Sequence, residues 1–162
     1  MPPPVGSWYL NIDASFIKSR DTTGVAGVMR DVNGEWMVGF GKICLVTSPL
    51  MVELNAIYEG LKLIKENDWH SVTILSDCLV AVNCINAPHV LKDETFNLVS
   101  SSRLLLGEMN DVHVQRTRRQ ANKVADKLAK FCRKTFLDFS DAVIFNSPME
   151  DVILLYEEDK PP

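Results

Sequence analysis

The chain has 162 residues, 46% of them hydrophobic and 23% charged, a balance that suits one folded domain around a single core and excludes a chain disordered throughout. No apolar run approaches the ~20 residues that span a bilayer, and the opening MPPPVGSWYL has neither the basic nor the apolar stretch of a secretory signal. Four cysteines (Cys44, Cys78, Cys84, Cys132) without a C-x-x-C pair, and only three histidines, argue against a zinc site or a disulfide framework and for a nuclear or cytoplasmic address.

Residues 1–6 read as a Pro-rich lead-in. From 8 to 17 the chain alternates: Trp8, Leu10, Ile12, Ala14 and Phe16 share one face, and Tyr9, Asn11, Asp13, Ser15 and Ile17 share a mostly polar one, which predicts a strand. Asn33-Gly34 between GVAGVMRD and EWMVGFGKIC is the strongest short-range hairpin signal, so the second and third strands run antiparallel. The short polar stretch from Lys18 to Thr23 predicts a hairpin between the first two strands as well. Thr47-Ser48-Pro49 offers a hydroxyl cap and a first-turn proline for a helix reaching about Asn67, with Leu50, Leu54, Ile57, Leu61 and Ile64 as its apolar stripe. SVTILSD reads as a strand, 78–85 as a short helix broken at Asn86-Ala87-Pro88, and 94–109 as a second helix. DVHVQRT is the last expected strand and QANKVADKLAKFCRK the last main helix. Three hairpin-linked strands followed by two reached through helical crossovers imply an α/β domain over 7–135, with a five-stranded mixed sheet covered by helices. Residues 136–162 form an extension expected to be partly packed or disordered.

The net charge of −4 hides an uneven distribution. Between His113 and Lys134 lie eight basic residues (Arg116, Arg118, Arg119, Lys123, Lys127, Lys130, Arg133 and Lys134) against one acid, Asp126. The segment is either a phosphate footprint or a solvated helix face.

Four acids break local rules. Asp13 lies inside a strand, where Asp is depleted, unless that face is simply in solvent. Glu53 is followed at helical spacing by Ala56, Ile57, Gly60 and Leu61, so it borders the packing face; a carboxylate buried there calls for a cation, although it could also reach out past the stripe edge. Asp77 ends a strand just before a helix, the place where open α/β sheets bind ligands and also the place of a plain N-cap. Asp126 points to the polar side of its helix, where it could merely complement the dipole. Converging at one sheet end, these acids would form a hard, oxygen-only site suited to magnesium or manganese, and a basic helix beside it suggests phosphodiester chemistry.

The segments LNIDASF, GVAGVMRDVNGEWMVGF, SPLMVELNAIYEGLKLI, VTILSDCLVAVNCI and RRQANKVADKLAKFC together resemble type 1 ribonuclease H. The resemblance covers about residues 5–135 and is closest to the plant RNase H-like domain found alone or after reverse transcriptases of non-LTR retroelements. It implies the ribonuclease H-like fold and a carboxylate set mapped onto Asp13, Glu53, Asp77 and Asp126. These would hold two Mg2+ ions, with Mn2+ as a substitute: Asp13 bridging both, Asp126 at the ion that activates water, and Glu53 and Asp77 at the ion beside the leaving 3′ oxygen. The implied reaction is endonucleolytic hydrolysis of RNA paired with DNA, leaving 5′-phosphate and 3′-hydroxyl ends. Substrate contacts are expected at Ala14, Ser15, Asn122, Arg116, Arg118, Arg119 and Lys123. A reverse transcriptase domain in the same or a partner chain, a monomeric state and no membrane partner complete the expectation. Three features depart from the family: Ala14 follows Asp13 where Gly is common, RTRRQANKV lacks the loop His of many members, and residues 86–93 are too few for the extra basic helix of some bacterial ones. The last two motivate the alternative of a weak or inactive nucleic-acid-binding module on the same fold. An exonuclease or integrase-type relative fits less well.

Overall fold

A computed structural model describes residues 7–16, 22–45, 48–87, 94–135 and 141–160. Its central strand, β1 (Trp8–Ser15), pairs antiparallel with β2 (Thr22–Arg30) and parallel with β4 (Val72–Ser76). β3 (Trp36–Leu45) continues outward from β2, and β5 (Val112–Arg116) runs parallel to β4 at the far edge. The β2–β3 turn is held by Asp31, whose Oδ1 accepts the Asn33 and Glu35 amides at 2.8 and 2.9 Å, and Gly34 takes the positive φ of 81° that the turn requires. Residues 17–21 of the expected β1–β2 connection, the lead-in 1–6, Thr47, Pro88 and the short stretch 88–93 lie outside the described residues.

Helix α1 (Pro49–Glu66) begins as expected, with Ser48 Oγ accepting the Met51 amide. Its buried stripe (Leu54, Ile57, Leu61, Ile64) packs with Leu10, Ile12 and Ile74 into the larger core. Helices α2 (Leu79–Asn86) and α3 (Phe96–Gly107) close that side, and Arg103 of α3 donates to the Ile85 and Cys84 carbonyls at the end of α2. The opposite face of the sheet carries α4 (Lys123–Thr135), through Val124, Ala125, Leu128, Ala129 and Cys132. α4 sits close because β2 and β3 present glycines: a Cβ on Gly24 would overlap the Ala129 carbonyl, and one on Gly41 would overlap the Cys132 sulfur.

The sheet has six strands, in the order β5-β4-β1-β2-β3-β6, where the sequence predicts five. The extra strand, β6 (Val143–Phe145), pairs antiparallel with Gly39–Gly41 of β3. At three residues it is too short to show alternation. Helix α5 (Glu150–Glu158) follows and buries Val152 and Tyr156 in the second core. Tyr156 Oη accepts the Trp36 amide at 2.8 Å, and Trp36 Nε1 donates to the Phe145 carbonyl at 3.0 Å. Both contacts tie residues 141–160 to the start of β3. No described helix is long and apolar enough to cross a membrane.

Candidate metal centre

Because β1 and β4 are parallel and Asn11 is level with Leu75, Asp13 and Asp77 emerge side by side two residues further on, at the C-terminal end of the sheet. Glu53 reaches the same point from the first turns of α1, whose start is fixed by the Ser48 cap and Pro49. One carboxylate oxygen from each of Asp13, Glu53 and Asp77 falls within 4.8 Å of the others. Asp126, in the first turn of α4, faces them across a cleft of about 460 Å³. Its carboxylate interacts with Asp13 and pairs with Lys130 at 2.9 Å.

The mundane alternatives for three of these acids do not describe their surroundings. Asp13 is buried rather than in solvent, since α4 covers the polar face of β1. Glu53 does not reach out past its stripe: its Oε2 is buried and has no hydrogen-bond partner among the described residues. Asp77 does not cap α2, whose N-cap position is Cys78, and Ser76 Oγ accepts the Cys78 amide instead. Asp126 is the most exposed of the four and keeps its place at the start of a helix, where the dipole favours it.

Crowding these carboxylates away from water makes their charged forms costly. Burial, then the Asp77 charge, raise the Asp13 carboxyl from 3.8 to about 7, although the Ala14 amide donates to its Oδ1 at 2.9 Å and opposes the rise. Burial, then Asp13 and Asp77, raise Glu53 from 4.5 to about 8, against the pull of Arg119. An orphaned Glu53 oxygen beside two convergent carboxylates is a donor set that fits a hard divalent cation, which would favour the charged forms of Asp13 and Glu53.

Around the acids the cleft is cationic. Arg119, Lys123 and Lys130 line it together with Ala14, and Arg119 approaches Asp77 at 3.6 Å while remaining largely exposed. The remaining predicted substrate contacts lie elsewhere. Arg116 and Arg118 are exposed but do not line the cleft. Ser15 is buried, its hydroxyl accepting from Arg133 Nε at 2.8 Å. Asn122 is also buried: Nδ2 donates to the Ile12 carbonyl at 2.8 Å and Oδ1 accepts from Asn11 Nδ2 at 3.0 Å. Gln120, which the sequence did not single out, and Lys130, named only within the basic segment, also line the cleft; the spacing of Lys130 four residues after Asp126 is the signal that points to it.

Comparison with known proteins agrees with the fold. Residues 11–132 match the family model described as reverse transcriptase-like. No curated protein matches the chain in a sequence search. Among solved structures, a type 1 ribonuclease H from the halophilic archaeon Halobacterium salinarum superposes with a TM-score of 0.72 at 16% identity, covering 81% of this chain and 100% of that one. A type 1 ribonuclease H isolated from compost, solved in complex with an RNA/DNA hybrid, gives 0.69 at 16% identity, over 79% and 97% of the two chains. The protease–reverse transcriptase of prototype foamy virus gives 0.66 at 17%, with 84% of this chain covering 22% of that one. With the ribonuclease H fold in place and most of its length matched, the chain belongs to the reverse transcriptase-like family of ribonuclease H-type domains.

Proposed function

We propose that this chain is a metal-dependent endonuclease that hydrolyses the RNA strand of RNA–DNA hybrids, with two Mg2+ or Mn2+ ions held by Asp13, Glu53, Asp77 and Asp126. The observation that carries the reading is the trio of convergent carboxylate oxygens within 4.8 Å, contributed in part by Glu53, whose buried Oε2 has no hydrogen-bond partner among the described residues. Metals bound there would supply an activated water and neutralise the charge that develops on the phosphate, giving 5′-phosphate and 3′-hydroxyl ends. The protein's own part is to hold four acids rigid on β1, α1, α4 and the end of β4, and to offer phosphates the Arg119, Lys123 and Lys130 rim. Ala14, beside the acids, puts the chain close enough for a 2′-hydroxyl to be sensed; Arg116 and Arg118 would grip the backbone further along. The likeness to a compost enzyme solved in complex with an RNA/DNA hybrid supports the substrate class, and the likeness to a viral protease–reverse transcriptase supports a reverse transcriptase domain as partner.

A weaker second reading, a binding module with little turnover, is favoured by one observation: among the described residues, no histidine lines the cleft. An end-labelled RNA–DNA hybrid incubated with Mg2+ or Mn2+ separates the two. Metal-dependent cutting of the RNA strand, lost in Asp77→Asn, is the expected result. Intact hybrid bound equally by both proteins would overturn the catalytic reading and leave the binding module.

A further inference from the structure

Asp159 closes α5, the last helix, well beyond the residues that match the family model. A carboxylate at a helix C-terminus opposes the dipole, so its position calls for a compensating partner. That partner is Arg30 of β2, whose Nη1 donates to Asp159 Oδ2 at 2.8 Å. Arg30 is itself buried, and its other terminal nitrogen donates to Asn11 Oδ1 at 3.2 Å. Asn11 Nδ2 is then left to donate to Asn122 Oδ1 at 3.0 Å and to the Ala121 carbonyl at 3.3 Å. Asn122 Nδ2 in turn donates to the carbonyl of Ile12, the residue before Asp13. The Asn122 carbonyl accepts the Asp126 amide at 3.1 Å.

Every bond in this row has one possible direction. A guanidinium only donates and a carboxylate only accepts, so Arg30 dictates which way the Asn11 amide faces, and Asn11 dictates Asn122. We propose that Asp159 and Arg30 are positioning residues that, through the oriented amides of Asn11 and Asn122, clamp the start of α4, and with it Asp126, onto the strand that carries Asp13. The inference rests on the reading of these acids as a metal site, and it assigns the C-terminal segment a part in building that site. With Arg30 disengaged, the Asn11 amide is free to rotate, and a flipped amide would set its oxygen against those of Asn122 and Ala121, loosening the 119–126 connection.

The test uses the whole chain and four variants: Asp159→Asn, Asp159→Glu, Arg30→Lys and Val152→Ala. Val152 is buried in the same helix but makes no part of the row, so its truncation weakens α5 packing alone. Amide hydrogen exchange over 119–127 and Mn2+ affinity by calorimetry are read beside kcat and KM. Asp159→Asn and Arg30→Lys, the latter lacking the fork that reaches both partners, are expected to speed exchange in that segment and to weaken Mn2+ binding about tenfold. They should lower kcat more than they raise KM. Asp159→Glu should restore most of each, and Val152→Ala should lower the unfolding midpoint while leaving exchange at 119–127 and Mn2+ affinity as in the parent chain. Unchanged exchange in Asp159→Asn, or the same loss in Val152→Ala, would overturn the proposal. A parent chain that binds no Mn2+ would defeat the metal reading instead, and the exchange comparison would still decide whether the clamp exists.

Discussion

The crowding of Asp13 and Glu53 has a thermodynamic signature that needs no substrate. In the unfolded chain these carboxyls ionise at ordinary values, 3.8 and 4.5, whereas the metal-free fold holds their protons to about 7 and about 8. Between those limits the native state binds more protons than the unfolded one, so stability falls as pH rises through the window and levels off above it. Each extra native proton costs about 1.4 kcal/mol per pH unit. Between about pH 5.5 and 8.5 the two sites together lose on the order of 3–5 kcal/mol, less than their separate sum because each charge raises the other. For a chain of this size that is a fall of roughly 10 °C in Tm. Scanning calorimetry in EDTA across this range should show the fall, millimolar Mg2+ or Mn2+ should abolish most of it, and Glu53→Gln should flatten the metal-free profile. A Tm independent of pH without metal, or an undiminished slope in Glu53→Gln, would refute the argument that these acids repel one another in a dry pocket.

Other perturbations address separate parts of the molecule. Gly41→Ala should destabilise the fold by about 1–3 kcal/mol through overlap with the Cys132 sulfur, and adding Cys132→Ala should recover part of the loss in a urea double-mutant cycle. Tyr156→Phe strips the acceptor from the Trp36 amide; a drop of about 1–2 kcal/mol in unfolding free energy is expected, and an unchanged urea midpoint would deny that the bond matters. Arg119→Gln should raise KM for hybrid several-fold with little change in kcat, and reduce the slope of log affinity against log salt by about one ion; an unaltered slope would remove Arg119 from the phosphate contacts.

Much of this was legible because the informative residues violate local preferences. An Asp inside a strand, a Glu on the packing side of a helix and an Asp at a strand end each call for an explanation, and the fold brings all three to one point, where the proposed metal site would supply it. Asn33-Gly34 and Ser48-Pro49 specified their turn and cap chemically, so the hairpin and α1 fall where the sequence put them. The polar face of β1 was harder to read. Alternation distinguishes two faces but cannot tell water from a covering helix, and here Asn11, Asp13 and Ser15 meet α4. For the same reason Ser15 and Asn122, close in sequence to the acids, looked available to substrate, whereas partners more than a hundred residues away occupy them. Pairings at that separation leave no periodicity. Nor does β6, whose three residues acquire their role only from the edge of β3.

That edge bears on how the protein behaves in concentrated solution. β6 covers the middle of β3, and α5 shields the flank of α4 around Leu128 and Cys132. A chain cut after residue 132, where the family match ends, would lay bare both the unpaired backbone of β3 and that apolar flank. It would also lose the acids of the tail: residues 1–132 contain fourteen acidic and fourteen basic side chains, a net charge of zero against −4 for the whole chain. An open strand edge on a particle without net charge is the combination that favours sheet-to-sheet association and precipitation. A preparation trimmed to residues 1–132 should therefore fail by clumping before it fails by unfolding.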